Sequence, residues 1–277
     1  MKSLESKVVV VTGASSGIGR ALAVNAAGKG ALLALSDLDE AGLSETVDLA
    51  KNAGAREVRS DLVDVADRAA MGAWAASVAD QFGRVNVVIN NAGVALAGNF
   101  EEMEYDDFEW IVGINFWGVV HGTKEFLPHL IASGEGHIVN LSSLFGLLSI
   151  PGQSAYNATK YAVRGFSEAV REELLIARHP VGVTVIHPGG IKTAIARNAR
   201  VTASEDQAET ARVFDKSLAR MTPEKAASII IDGVLAGKPR VLVGIDAHLL
   251  HSFAKFTGAR YQDVVAKVAG RVMPKRK

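Results

Sequence analysis

The 277-residue chain contains no cysteine. That excludes disulfides and thiolate metal sites and suits a reducing compartment, so the chain reads as cytoplasmic. Net charge is also missing, because Lys plus Arg and Asp plus Glu each number 30. Nothing provides a global electrostatic footprint for nucleic acid, and no such partner is expected. Long apolar runs are absent too. The four valines of MKSLESKVVVVTG are too few for a signal-peptide core, and no stretch reaches the length of a membrane span. There are no internal repeats and no low-complexity linkers. No cluster of side chains has metal-ligand spacing, and no metal is expected. The basic ending MPKRK reads as a solvated tail.

Apolar residues are plentiful, at 48% of the chain, enough for one large α/β domain. Short β-rich runs alternate with Ala-rich, helix-like stretches. The strand candidates are 8–12, 31–36, 58–63, 85–90, 137–141, 183–187 and 240–243. Several are almost continuously apolar, as parallel strands covered on both faces are. Helical stretches run over 18–29, 66–82 and 155–178. The alternation predicts a parallel sheet with helices on both faces, in one domain spanning 1–277. Thr222-Pro223 marks a helix start, with Thr as N-cap and Pro at the first helical position. Residues 192–220 are polar and follow the Pro188-Gly189-Gly190 break, which predicts a substrate lid. Residues 247–277 extend past the last strand. Their apolar side chains need a partner surface, either this subunit's pocket or a neighbour.

The stretch VVVVTGASSGIGR, from Val8 to Arg20, admits two readings. Gly13-Ala14-Ser15-Ser16-Gly17 fits G-x-S-x-G, the elbow that presents a nucleophilic serine. Gly13, Gly17 and Gly19 equally form a turn that lets backbone approach phosphate. The elbow requires an oxyanion loop earlier in the chain, and only Met1 to Lys7 stands ahead of the strand. Phosphate suits the turn better, since helix-start amides point at it and the helix dipole favours negative charge. Asp37 ends the second strand eighteen residues beyond Gly19, near the spacing at which a carboxylate accepts from a ribose hydroxyl.

Tyr156 and Lys160 stand four apart in SAYNATKYAVRGF, hence on one helix face, a turn apart. An ammonium there is expected to lower the phenol from its ordinary pKa of ~10, so that the pair can exchange a proton near neutrality. Ser143 ends the strand HIVNLSS, where a hydroxyl can hydrogen-bond a substrate oxygen; Ser142 competes for that role.

The ordered set is Thr12-Gly13-x-x-x-Gly17-Ile18-Gly19, Asn90-Asn91-Ala92-Gly93, Asn115, Ser143, Tyr156-x-x-x-Lys160, then Pro188-Gly189 with Thr193. Taken together, it resembles the short-chain dehydrogenase/reductase family, from about residue 7 to residue 243. The resemblance implies a Rossmann-like, doubly wound, seven-stranded parallel sheet. It also implies hydride transfer between a nicotinamide cofactor and a secondary alcohol or ketone. Its catalytic residues become Asn115, Ser143, Tyr156 and Lys160, with the second serine favoured over Ser142. Gly13, Ser15, Gly17, Ile18 and Gly19 would line the pyrophosphate, and Ser16 would also contact the cofactor. Asp64 and Val65 would meet the adenine, with Asp64 favoured over Asp61, and Asn91, Ala92 and Gly93 the adenosine ribose. Lys160 would reach the nicotinamide ribose beside Tyr156, while Pro188, Gly189, Ile191 and Thr193 would flank the carboxamide.

Asp37 predicts NAD, since a carboxylate repels the 2′-phosphate of NADP. Ser16 and Leu38 occupy the places where NADP-preferring relatives carry a basic residue. The same reaction with NADP, or a nucleotide-sensing module without turnover, are the alternatives. His187, His121 and His129 read as structural. The apolar segment 144–150, with Leu96, points to a substrate of low polarity. Family members pair through two long helices, so a homodimer or homotetramer is expected, with 155–178 as one of the helices.

Overall fold

Each interior strand sends alternate side chains to opposite faces of the sheet, and both faces are apolar. In β1 (Val8–Thr12), Val9 and Val11 enter one core while Val10 enters the other. The same alternation divides β2 (Leu32–Asp37) and β4 (Val87–Asn90): Leu33, Leu35, Val87 and Ile89 on one side, Ala34 and Val88 on the other. This is why these runs carry almost no polar residues. The computed structural model of the chain describes residues 1–209, 212 and 220–272.

The remaining strands are β3 (Val58–Leu62), β5 (Leu96–Ala97), β6 (Gly136–Leu141), β7 (Val181–Pro188), β8 (Arg200–Val201) and β9 (Arg240–Val243). Seven of them form one parallel sheet in the order β3-β2-β1-β4-β6-β7-β9. The chain walks outward from β1 to β3, returns to β4 and walks the other way. That reversal makes a crevice at the carboxyl ends of β1 and β4, where α/β sheets of this kind bind ligands. The architecture is the Rossmann-like, doubly wound one. β3 is its exception in polarity: it is an edge strand, and its residues are half-buried or exposed.

One core joins the sheet to Leu22 of α1 (Gly17–Ala27), Leu43 of α2 (Glu40–Asn52) and Ile230 of α7 (Pro223–Leu235). The other joins it to Trp74 of α3 (Arg68–Phe82), Phe126 of α5 (Gly118–Ala132) and Leu174 of α6 (Ser154–Ile176). Trp74 meets Phe126 edge-on, with ring centroids 5.4 Å apart. Caps fix the helix starts. Asp67 accepts from the amides of Ala69 and Ala70, which begins α3 at Arg68 rather than at 66. Thr222 accepts from the Lys225 amide, with Pro223 at the first helical position.

The segment read as a lid is tied at both ends. Arg200 and Val201 pair in parallel with Leu96 and Ala97, and Ile191 bridges to Met221. The Arg200 guanidinium lies 3.8 Å from the Trp110 ring of α4 (Tyr105–Val112) and 3.0 Å from Asp107. Positions 210, 211 and 213–219 of that lid, and 273–277 of the C-terminal extension, lie outside the described residues. The extension forms α8 (Ile245–Thr257) and α9 (Tyr261–Val272). Ala247, Ala254 and Tyr261 pack on Leu144 and Leu148 of the same chain, and the Tyr261 hydroxyl accepts from the Ser149 amide at 2.9 Å.

Candidate active site

The crevice at the switch point is a cleft of about 510 Å³. Its floor begins at the glycine turn. Gly13 has φ +65°, and a Cβ there would lie 2.7 Å from the Ala92 Cα, so only glycine lets the two loops touch. A Cβ on Gly19 would lie 1.9 Å from the Gly13 carbonyl oxygen. Gly19 therefore lies beneath the turn and, unlike Gly13, Ser15, Ser16, Gly17 and Ile18, does not line the cleft. Asn91 holds the turn from below, its side-chain amide donating to the carbonyls of Thr12 and Gly13, both at 2.9 Å. Ser16 stands at the N-cap of α1 without a side-chain cap, which leaves the first amides of that helix without an internal acceptor. An anionic phosphate fits such a cradle.

Asp37 lines the cleft at the end of β2. One carboxylate oxygen accepts from the Ser15 amide at 2.8 Å, and the other accepts from the amides of Leu38 and Asp39. The competition between Asp61 and Asp64 is resolved by position. Asp61 is bound by Arg59 and by the Trp74 indole at 2.9 Å, whereas Asp64 and Val65 line the cleft. Asn91, Ala92, Gly93, Pro188, Gly189, Ile191 and Thr193 line it as well.

At the inner end lie Ser143, Tyr156 and Lys160, all on the cleft wall. Tyr156 and Lys160 occupy one face of α6, with the ammonium 5.6 Å from the phenol ring centroid. Their exposures are 9% and 4%. The Ser143 hydroxyl accepts from the Phe145 amide at 3.1 Å and lies near enough to the Tyr156 phenol to favour its ionised form. Ser142 is otherwise engaged, its hydroxyl donating to the Lys160 carbonyl at 2.7 Å. The Lys160 ammonium donates to the Leu141 carbonyl at 3.2 Å, and burial lowers its pKa to about 8. Burial also pushes the Tyr156 phenol above its usual value, against the lowering effect of Ser143. This corrects the expectation from sequence that the ammonium lowers the phenol. Both groups are withdrawn from water, and desolvation penalises each charged form.

Asn115 does not line the cleft. It sits in a π-helical turn, Gly113–Trp117, between α4 and α5, fully buried. Its side chain accepts from the Val94 amide at 2.8 Å and donates to the Val94 carbonyl at 2.9 Å, which latches the loop after β4. His187 is fully buried, with Nδ1 2.8 Å from the Ser143 carbonyl, and burial lowers it to about 4. It is neutral at pH 7 and braces the serine from behind. His121 pairs with the Val65 carbonyl at 3.0 Å and stacks on Trp117, and His129 is half-buried in the last turn of α5.

A family model described as short chain dehydrogenase matches residues 7–204. The chain belongs to the short-chain dehydrogenase/reductase family. It is 56% identical over 274 residues to a putative oxidoreductase, SadH, of Mycobacterium tuberculosis, covering 99% of both chains. A short-chain dehydrogenase/reductase from Burkholderia phymatum, solved in complex with NAD, superposes with a TM-score of 0.86 at 31% identity, covering 95% of this chain and 97% of the other. An alcohol dehydrogenase from Thermococcus sibiricus, complexed with 5-hydroxy-NADP, gives a TM-score of 0.72 at 26% identity over 87% of this chain and 95% of that one. The protein is thus an NAD(P)-dependent oxidoreductase of this family.

Several cleft residues went unnoticed in the sequence. Asp246, in the first turn of α8, accepts from the Gly190 amide at 2.7 Å, and a Cβ on Gly189 would lie 2.2 Å from its carboxylate. Leu250, one turn later, lines the cleft beside Leu144, Phe145 and Ala97. Leu96 itself is core, and its neighbour Ala97 faces the cleft. Nothing near Asp246 in the sequence announces it, because its partner lies fifty-six residues earlier.

Proposed function

We propose that the protein interconverts a secondary alcohol and a ketone of low polarity, with NAD as the preferred cofactor. The observation that carries this is that Ser143, Tyr156 and a buried Lys160, its ammonium 5.6 Å from the Tyr156 ring centroid, line the same cleft as the glycine turn. A nicotinamide dinucleotide bound there supplies or accepts the hydride. Tyr156 gives its proton to the carbonyl oxygen in reduction and takes it back in oxidation. Ser143 orients that oxygen by hydrogen bonding. Lys160, charged at pH 7, steadies the phenolate left on Tyr156 and reaches toward the nicotinamide ribose. Asn115 positions the loop on which Gly93 and Val94 sit.

The glycine turn with Ser15, Ser16 and Ile18 would hold the pyrophosphate. Asp64, Val65 and Asn91 to Gly93 would hold the adenosine, and Pro188, Gly189, Ile191 and Thr193 the carboxamide end. Two features favour NAD. Asp37 and Asp39 both line the cleft, and Lys160 is the only Lys or Arg among the described residues that do so. A 2′-phosphate would meet carboxylates there without a cation. Low polarity follows from Leu144, Phe145, Ile195 and Leu250 in the cleft lining. Residues 192–220 act as the lid, and the enzyme works as a cytoplasmic homo-oligomer.

A panel of alcohols and ketones with NAD(H) and NADP(H), followed by nicotinamide absorbance, tests the reading. Tyr156→Phe is expected to lower turnover about 10³-fold while dinucleotide binding stays intact. An active variant would remove the proton-transfer role.

A further inference from the structure

The outward face of α8 and α9 carries the longest series of exposed apolar side chains at helical spacing among the described residues. On α8 these are Ile245, Leu249, Phe253 and Phe256, at 78%, 66%, 36% and 88% exposure. Spacings of four, four and three put them on one stripe, opposite the buried Ala247 and Ala254. On α9, Val264 and Val268 are also exposed, four residues apart. Single exposed apolar residues are ordinary, but a row such as this marks an interaction surface.

We propose that this face docks on an anionic lipid surface. Charge selects that occupant. The chain is neutral overall, yet from Lys255 to its end it holds seven Lys and Arg against Asp263 alone. Lys255, Arg260 and Lys267 are exposed beside the apolar residues. A second copy seated face to face would bring these cations together, whereas anionic headgroups neutralise them. An amphipathic helix with Phe and Leu on one face and Lys and Arg on the other lies in a membrane interface. No described helix is long and apolar enough to cross a membrane, so the contact is peripheral. The stripe also adjoins the cleft, because Leu250 on the same helix lines it. A molecule dissolved in the lipid would meet the cleft mouth without crossing water. The docking itself does not depend on the proposed reaction.

Flotation of the full chain with vesicles tests this, using phosphatidylcholine alone and phosphatidylcholine mixed with phosphatidylglycerol. The chain is expected to float with the mixed vesicles only, and less so as salt rises. Leu249→Ser and Phe256→Ser each lower vesicle affinity about tenfold or more. Lys255→Glu combined with Lys267→Glu does the same. All are exposed, so the unfolding midpoint should not move. Equal flotation with both vesicle types, or none with either, overturns the proposal. So does a Phe256→Ser variant that keeps its vesicle affinity but loses an oligomer, which would assign the face to a second copy.

Discussion

Lys160 shows how a single side chain trades stability for chemistry. Burial lowers its pKa from 10.5 to about 8, so the folded chain holds a cation under strain at pH 7. The unfolded chain keeps that proton up to about 10.5. Between those values the unfolded state binds more protons, so stability rises with pH across the window, and below it the whole penalty is present. Lys160→Met should therefore stabilise the fold at pH 7 by about 2 kcal/mol, after loss of the Leu141 hydrogen bond, while abolishing turnover. The advantage should shrink as pH climbs from about 8 toward 10.5, which denaturant titrations at several pH values would show. A variant less stable than the parent at pH 7 would contradict this. Asp37 offers a second test at the same scale. Asp37→Ala should cut the ratio of kcat/KM for NAD over NADP about tenfold or more, because a charged acceptor is lost. A parent enzyme that already favours NADP would remove the assignment.

Elements acquire function where distant pieces meet. Helix α8 is joined to the turn after β7 by Asp246, whose carboxylate holds the Gly190 amide at 2.7 Å. Asp246→Ala should let that turn relax, raising the KM for dinucleotide about tenfold, whereas Asp246→Asn, which keeps an acceptor oxygen, should stay near the parent. Equal losses in both variants would mean that the charge matters rather than the tether. That tether also explains what could be read from sequence. The glycine turn and the Tyr156–Lys160 pair are local patterns, set by one strand–turn–helix and one helical turn, and they were legible. The seven sheet strands were legible as short β-rich runs, most of them apolar and β3 the polar exception, with ends wrong by one or two residues where caps and turns decide. Strands β5 and β8 were not, for their pairing joins Leu96 to Arg200 and has no local period. The choice between Asp61 and Asp64 likewise needed the fold, since only the position of Trp74 shows which carboxylate is occupied. The phenol's shift was misjudged because burial, the larger influence, cannot be seen in a spacing.

For the whole molecule, the two cores enclose groups that tie stability to pH. His137 on β6 is 4% exposed, paired with the Thr184 hydroxyl at 2.8 Å, and burial lowers it to about 4. His187 at the end of β7 is fully buried and is also lowered to about 4, again chiefly by burial. Both rings are neutral at pH 7, so neither carries a desolvated charge there. As pH falls below 6.5, the unfolded chain takes up two protons that the folded chain refuses until about 4. Stability is lost across that interval, by about 2 kcal/mol for each histidine at pH 5. The carboxylates of Glu135 and Glu168 are held below their ordinary 4.5, so their contributions fade only at still lower pH. The acid side of the stability curve should thus begin with imidazoles rather than carboxylates. Urea midpoints at pH 7 and pH 5 would measure the loss, and His137→Gln, which keeps a partner for Thr184, should remove about half of it. A midpoint unchanged between the two pH values would mean that both histidines protonate in place, with water reaching strands that the fold encloses on both faces.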